Sequence, residues 1–396
     1  MPIALRLGLF YCAVFIGSGA SGPYIGFWFQ AHGLSGAAIG LILAAPALGR
    51  AFVGPAVALW ADGFVHRRTP LAIIAAGVAA SYLGLALSHG FWAWFILWFL
   101  AQSLFANLSP LTDVITLRRA RAEGFNYGWP RGIGSAAFVV ANVCMGLVIR
   151  WTSPMALMVW ITTAAVGASV AARWLLPPDR VHEAGEAPAR SERLKGMGAL
   201  LADPVFLLAV VSVGLIQASH AFYNGFSILA WKAQGLAPGL WGVLWGLGVT
   251  AEIAFFWFLE PWRRRIGPER LVIFGGTAAV ARWTCLAMSP PLWLLLGLQL
   301  LHALTFTATF VGSLQLIERL SPPRTATAAQ TLNSVLSGGF LIGLATVASG
   351  RLFDSVGAHG YLAMSVIALA GLAGAVCIGP LQRTRNHARD TGTRLT

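Results

Sequence analysis

Apolar residues fill this chain in long runs, and short polar segments rich in arginine separate them. A helix needs about 20 apolar residues to cross the hydrocarbon core of a bilayer. Twelve runs reach that length, at 5–30, 36–61, 70–89, 91–117, 128–149, 154–176, 203–231, 237–260, 270–288, 291–317, 325–350 and 358–381. Only helices satisfy their own backbone groups in lipid, so an all-helical membrane protein is expected. The first run is too long for a signal-peptide core and reads as a retained span. The stretch 177–201 opens on Pro177-Pro178, mixes charges and divides the spans six and six. The predicted organisation is an N-terminal six-helix bundle (1–176), a cytoplasmic linker (177–201), a C-terminal six-helix bundle (202–381) and a cytoplasmic tail (382–396).

Composition agrees. The chain is 57% hydrophobic and only 10% charged, where soluble proteins carry about 25% charged residues. The net charge of +13 does not point to nucleic acid, because the charges form short clusters between apolar runs. With the N-terminus inside, the lysines and arginines fall in cytoplasmic segments or their helix ends. The exceptions are Arg50, Arg150, Lys232, Arg282 and Arg351. Both termini are therefore expected in the cytoplasm. Cys12, Cys144, Cys285 and Cys377 lie within apolar runs and lack metal or CxxC spacing. The 45 glycines and 20 prolines suit closely packed, kinked spanning helices.

Five ionisable side chains stand inside the apolar runs: Arg50, Asp113, Glu252, Arg282 and His302. Charges in lipid are costly, and they persist where they face a protein interior or a watery cavity. They are the first candidates for function. The two halves also share a repeat. One constant offset carries Gly33-Leu34 onto Gly235-Leu236, Gly40 onto Gly242 and Arg50 onto Glu252. The same offset carries Arg131 onto Asn333, Ser135 onto Ser337 and Phe138 onto Phe340. It spans an even number of helices, so the repeats run parallel, and such proteins bind solute at the repeat interface.

These features resemble the major facilitator superfamily, and within it the branch of phenylpropionate permease, nucleoside–proton symporters and lactose permease. The segments that carry the resemblance are Ser109-Pro-Leu-Thr-Asp113, Tyr127-Gly-Trp-Pro-Arg131-Gly-Ile-Gly-Ser135, Gln217-Ala-Ser-His220-Ala-Phe-Tyr223, Leu247-Gly-Val-Thr-Ala-Glu252, Ala281-Arg282-Trp283 and Leu301-His302. Asp113 and Arg131 keep the eighteen-residue separation of the sugar-holding acid and arginine of lactose permease. Arg282 and His302 keep the twenty-residue separation of its proton-coupling pair. Glu252 takes the place of its eighth-span acid. Three positions depart from that pattern: Thr305 replaces the proton-carrying acid, Gln299 a lysine, and Phe138 the sugar-stacking tryptophan. The superfamily's cytoplasmic loop survives as Ala58-Leu-Trp-Ala-Asp62-Gly63 and Arg67-Arg68, with Arg263 to Arg265 as its counterpart. The resemblance makes Asp62, Arg67 and Arg68 gating residues.

The resulting expectation is a proton-coupled symporter of the bacterial inner membrane. It would move a small organic acid such as a phenylpropionate-like aromatic carboxylate, by alternating access. Arg50 and Arg131 would clamp the anion, since arginine binds carboxylates bidentately. Asp113, Phe138, His220, Tyr223 and Asn224 would complete the binding site. Trp28, Phe222 and Trp245 are further candidate cavity walls, while most other aromatics suit lipid-facing belts. Glu252 would carry the proton, with Arg282 and His302 tuning it, because histidine titrates near neutral pH. Blander readings compete. Arg50 or Glu252 would sit in a structural ion pair, Asp113–Arg131 would be a solvated helix-end pair, and His220, Tyr223 and Asn224 would bond between helices. No cofactor or metal is expected, the proton gradient being the energy source. The expected partners are the solute, protons and the bilayer, for a monomeric protein that is not an enzyme. The alternatives are a nucleoside or sugar symporter, a drug exporter, and, in a different class, a membrane-embedded lipid transferase. The chain has no DxxD, HxxxH or GxSxG motif to support the last.

Overall fold

The computed structural model describes residues 1–180, 198–322 and 325–390. Most of the segment read as a linker and the end of the tail lie outside the described residues. The helices of the first half are α1 (Ile3–Ala31), α2 (Gly36–Asp62), α3 (Arg68–Leu87), α4 (Phe91–Phe105), α5 (Leu108–Glu123), α6 (Gly128–Trp151) and α7 (Met155–Trp174). Those of the second half are α8 (Pro204–Ala218), α9 (Ala221–Ala233), α10 (Pro238–Phe258), α11 (Glu260–Ile266), α12 (Pro268–Ala287), α13 (Leu292–Leu300), α14 (Thr309–Leu320), α15 (Ala326–Val335), α16 (Ile342–Val356) and α17 (Tyr361–Asp390). Two π-helical turns, Ala303–Ala308 and Leu336–Leu341, interrupt the second half. No strand occurs among the described residues.

Ten helical stretches among the described residues are long and apolar enough to cross a membrane. The difference from twelve has two sources. Pro268–Ala287 is absent from the ten; it carries Glu269, Arg270 and Arg282 within 20 residues. Ala328–Thr384 counts once although it is 57 residues long. At 1.5 Å per residue that is roughly 85 Å, ample for two crossings of about 30 Å. A 3₁₀ turn at Gly357–Gly360, with Gly357 at φ +55, marks the division.

Lipid exposure is written on the surface. Trp92, Trp151, Trp174, Trp257 and Trp293 are all strongly exposed and lie at helix ends. That is where amphipathic rings sit at headgroup level.

The described chain forms two compact units. Unit 1 comprises Met1–Gly185, Tyr223–Thr250 and Thr346–Gly357. Its core joins Leu7, Phe10 and Val14 of α1 to Leu71 and Ile74 of α3, Ile115 of α5 and Ala168 of α7. The repeat read from the sequence is visible here. Gly33 (φ +86) and Gly235 (φ +84) end α1 and α9 in the left-handed region. Leu34 N donates to Phe29 O (3.2 Å) and Gly33 N to Gln30 O (3.0 Å). Leu236 N donates to Trp231 O (3.0 Å) and Gly235 N to Lys232 O (3.0 Å). Both are the same Schellman stop, which only glycine forms without a Cβ penalty. Gly40 and Gly242 also share a task. A Cβ on Gly40 would stand 3.0 Å from the Gly350 Cα, and one on Gly242 2.7 Å from the Asn142 carbonyl carbon. Each lets two helices meet backbone to backbone. At the start of α2, Asp354 accepts from Gly36 N (2.6 Å) and Ala37 N (2.7 Å), while Ser35 caps Ala38 N.

Unit 2 comprises Glu186–Phe222, Ala251–Ala345 and Ala358–Thr396. A core of Phe255, Leu271, Ala303, Ala308 and Val311 joins α10, α12, the first π turn and α14. The span read as continuous over 203–231 is broken at Ser219-His220, between α8 and α9. Ser219 Oγ donates to Ile216 O at 2.6 Å. His220 Nδ1 lies 3.2 Å from both Ile216 O and Gln217 O.

Candidate functional site

The candidate residues gather in two clusters, one in each unit. In unit 2, α12 delivers Arg282 to a fully buried position. A guanidinium out of water must find acceptors. Its Nη2 donates to Gln299 Oε1 (2.9 Å), and its Nη1 donates to Thr305 Oγ1 (3.2 Å) and meets His302 Nδ1 (2.8 Å). The far nitrogen, His302 Nε2, lies 2.9 Å from Glu252 Oε1.

These contacts assign the histidine's hydrogens. Arginine only donates, so His302 Nδ1 accepts, and Nε2 carries the hydrogen to Glu252. The result is a line: guanidinium, neutral imidazole, carboxylate. Its two ends differ in access. The His302 side chain is 7% exposed and that of Glu252 18%, so the line opens at the carboxylate.

A branch leaves through Thr305. Its hydroxyl lies 3.1 Å from His220 Nε2. His220 Nδ1 faces two carbonyls and holds a hydrogen, so Nε2 accepts from Thr305 while Thr305 accepts from Arg282. Trp283 floors the cluster: its ring lies 4.8 Å from Arg282 Cζ, and its Nε1 donates to Ser219 Oγ (2.8 Å). Thr305 belongs to the π turn that follows His302. Such turns recur at functional sites because the extra residue re-aims side chains.

In unit 1, α5 and α6 bring Asp113 and Arg131 together. Arg131 Nε is 3.8 Å from Asp113 Oδ1, with side chains about one-third exposed. Tyr11 of α1 donates to the same oxygen, and Tyr127 Oη does so at 3.0 Å. Burial and the Asp113 carboxylate push the Tyr127 phenol above its ordinary value, so it stays a donor at neutral pH. The Arg131 guanidinium lies 4.5 Å above the Phe15 ring and 5.5 Å from that of Tyr11.

The other sequence-predicted residues are dispersed. Arg50 is exposed on α2, and no hydrogen bond or ion pair holds it among the described residues. The sequence grouped His220 with Tyr223 and Asn224. The structure puts His220 with Arg282 in unit 2, while Tyr223 and Asn224 fall in unit 1. Tyr223 is buried and packs on Trp245, ring centres 4.6 Å apart. Asn224 is exposed within an otherwise buried run. Phe138 is half-buried, and its carbonyl accepts from Asn142 Nδ2. Trp28, Phe222 and Trp245 are buried against other rings: Trp94, Tyr361 and Tyr223 respectively.

Asp62 is exposed at the end of α2, and Arg68 begins α3. Arg67 N donates to Asp179 O at 2.9 Å. Asp179 is itself ion-paired to Arg119. Beside it lies an open cleft of about 660 Å³ lined by Arg118, Arg119, Arg121 and Arg180.

Sequence reasoning gave no role to Tyr11, Tyr127 or Asp179. Tyr127 stood inside a quoted motif; nothing local marked the other two. Gln299 and Thr305 were visible as departures from the family pattern, and both bond Arg282. No group of three potential metal ligands occurs among the described residues.

Along its length the chain is similar to known transporters. The chain is 27% identical over 372 residues to the probable 3-phenylpropionic acid transporter of Escherichia coli (strain K12), covering 92% of this chain and 95% of that one. It is 27% identical over 390 residues to the maltose permease of Geobacillus stearothermophilus, covering 96% of each. Among solved structures, the nucleoside transporter NupG matches with a TM-score of 0.82 at 16% identity, covering 96% of this chain and 99% of that one. A bacterial homologue of the lysosomal transporter Spinster matches with a TM-score of 0.70 at 15% identity, covering 95% and 96%. These relatives are transporters, and the two structures share the fold. Residues 4–363 match the family described as MFS_1 like, so the chain belongs to that family and is a multi-pass secondary transporter of the major facilitator type.

Proposed function

We propose that this transporter carries a small aromatic carboxylate together with a proton. One observation carries the coupling: Arg282, His302 and Glu252 form a hydrogen-bonded line whose only partly open end is a carboxylate. Glu252 takes up the proton there. The loss of its charge changes what His302 and Arg282 face, and so biases one conformation over another. Arg282 holds the imidazole tautomer, and Gln299 and Thr305 hold Arg282. Thr305 thus keeps the network connected where the resemblance expected an acid.

Arg131, flanked by the Phe15 and Tyr11 rings, suits an aryl carboxylate. The guanidinium takes the charge and the rings take the apolar body. Arg50, unpaired among the described residues, is a second anion-binding group. The likeness to a 3-phenylpropionic acid transporter supports the same class. The membrane is the bacterial inner membrane, with both termini cytoplasmic, and the protein acts as a monomer.

The likeness to a maltose permease supports a second reading, a neutral hydroxylated solute. The test is thermal unfolding of the purified protein with 3-phenylpropionate, 3-phenylpropanol, maltose and a nucleoside. Binding raises stability by linkage. Stabilisation by the acid but not by the alcohol supports the proposal. Stabilisation by maltose or the nucleoside alone overturns it.

A further inference from the structure

Asp113 is held by more than its arginine. Two phenols, Tyr11 and Tyr127, donate to one and the same oxygen, Oδ1. A carboxylate oxygen has two lone pairs, so that oxygen is saturated. Arg131 stands 3.8 Å from it, close enough for charge attraction but beyond hydrogen-bond reach. The guanidinium lies instead over Phe15 and near Tyr11, and also interacts with the Tyr127 phenol. An acid and an arginine this close ordinarily close into a bidentate pair, the strongest arrangement open to them. Here the phenols take the carboxylate first.

The three contributors come from separate places in the chain: α1, the turn before α6, and α5. Tyr11 is anchored, being buried in the α1 face, with its hydroxyl also 3.2 Å from Thr116 Oγ1. Tyr127 is half-buried immediately before α6, four residues ahead of Arg131.

We propose that Tyr11 and Tyr127 are positioning residues that satisfy Asp113 and so keep Arg131 available for the carboxylate of a transported acid. This rests on the anionic-substrate reading above and adds its selectivity. An aspartate with one oxygen already accepting two hydrogen bonds has only its other oxygen left for the hydroxyls of a neutral sugar. An arginine not hydrogen-bonded to Asp113 favours an anion. Without the phenols, Asp113 is a partly desolvated carboxylate in need of donors, and Arg131 is the donor at hand. The pair then closes, and the carboxylate of the solute must compete with Asp113.

The test reads Arg131 directly, in the full chain in detergent. Arginines are labelled with phenylglyoxal, and the peptide holding Arg131 is followed by mass spectrometry. Three proteins are compared: wild type, Tyr11→Phe/Tyr127→Phe, and that double variant with Asp113→Asn added. Removing two charge-assisted hydrogen bonds is expected to slow Arg131 labelling about tenfold. Adding Asp113→Asn, which removes the competitor, restores the rate. A merely structural role for the phenols predicts no such rescue. Equal labelling in all three, or slowing that Asp113→Asn does not reverse, overturns the proposal. Tyr127→Phe alone, at a half-buried position, is read the same way if the double variant does not fold.

A second arm measures binding of 3-phenylpropionate to the same proteins. Affinity falls in the double variant and returns with Asp113→Asn. If the labelling pattern appears but the wild type binds no 3-phenylpropionate, the anionic-substrate reading fails while the role of the phenols stands.

Discussion

Thr305 shows how much rests on one hydroxyl. It accepts from Arg282 and donates to His220, both buried. Thr305→Val keeps the shape and removes the link, leaving a buried donor and a buried acceptor unmatched. The expected cost is about 1–3 kcal/mol, read as a lower thermal unfolding midpoint in detergent; Thr305→Ser should stay near wild type. Arg282→Lys keeps the charge but loses the planar fork that reaches both Gln299 and His302. It should therefore lower gradient-driven uptake sharply although its charge is unchanged. Uptake equal to wild type would show that the fork has no role. Part of this was legible in the sequence. Charges within apolar runs marked Arg282, Glu252 and His302, and the resemblance to lactose permease paired Arg282 with His302 and Asp113 with Arg131. The phenols were not legible, because Tyr11 meets Asp113 from a helix 102 residues away. Nor was the burial of Trp28, Phe222 and Trp245 against other rings, since side-chain direction depends on packing that local sequence does not state.

Helices in this chain stop and meet at glycines. Gly235 sits at φ +84, where a Cβ costs about 1–2 kcal/mol. Gly235→Ala should lower the unfolding midpoint accordingly, while Gly22→Ala, with open space around its Cβ, should not. Gly350→Ala is expected to be worse. Its Cβ would collide with the Gly36 backbone and stand 3.0 Å from the Gly40 Cα. Backbone cannot move aside as a side chain does, so the penalty is about 1–3 kcal/mol or more. A midpoint unchanged in Gly350→Ala would mean that α2 and α16 do not pack this closely in the membrane. The repeated Gly-Leu stops and close-packing glycines were legible from the constant offset. The helix breaks at Ser219-His220 and Ala106-Asn107, and the two π turns, were not. Apolar runs of even composition carry no sign of a local change in helix register, which side-chain competition for carbonyls produces.

For the whole molecule, hydropathy was enough to identify a multi-pass helical membrane protein, and the resemblance carried by the quoted motifs was needed to identify a transporter. Hydropathy works because lipid allows only self-satisfied backbone. Counting was harder: Pro268–Ala287 carries Glu269, Arg270 and the buried Arg282 and so reads as less apolar than its neighbours. The proposed coupling lies at a finer grain than hydropathy, in how Glu252 ends a line from Arg282. The most direct test of that claim is proton entry accompanying solute entry. Proteoliposomes in weak buffer receive 3-phenylpropionate, and external pH is followed against protein-free vesicles. A saturable, protein-dependent alkalinisation of the medium is expected in wild type, abolished in Glu252→Gln. Saturable solute entry with no pH change beyond that of protein-free vesicles, or with a change that Glu252→Gln leaves intact, would contradict it.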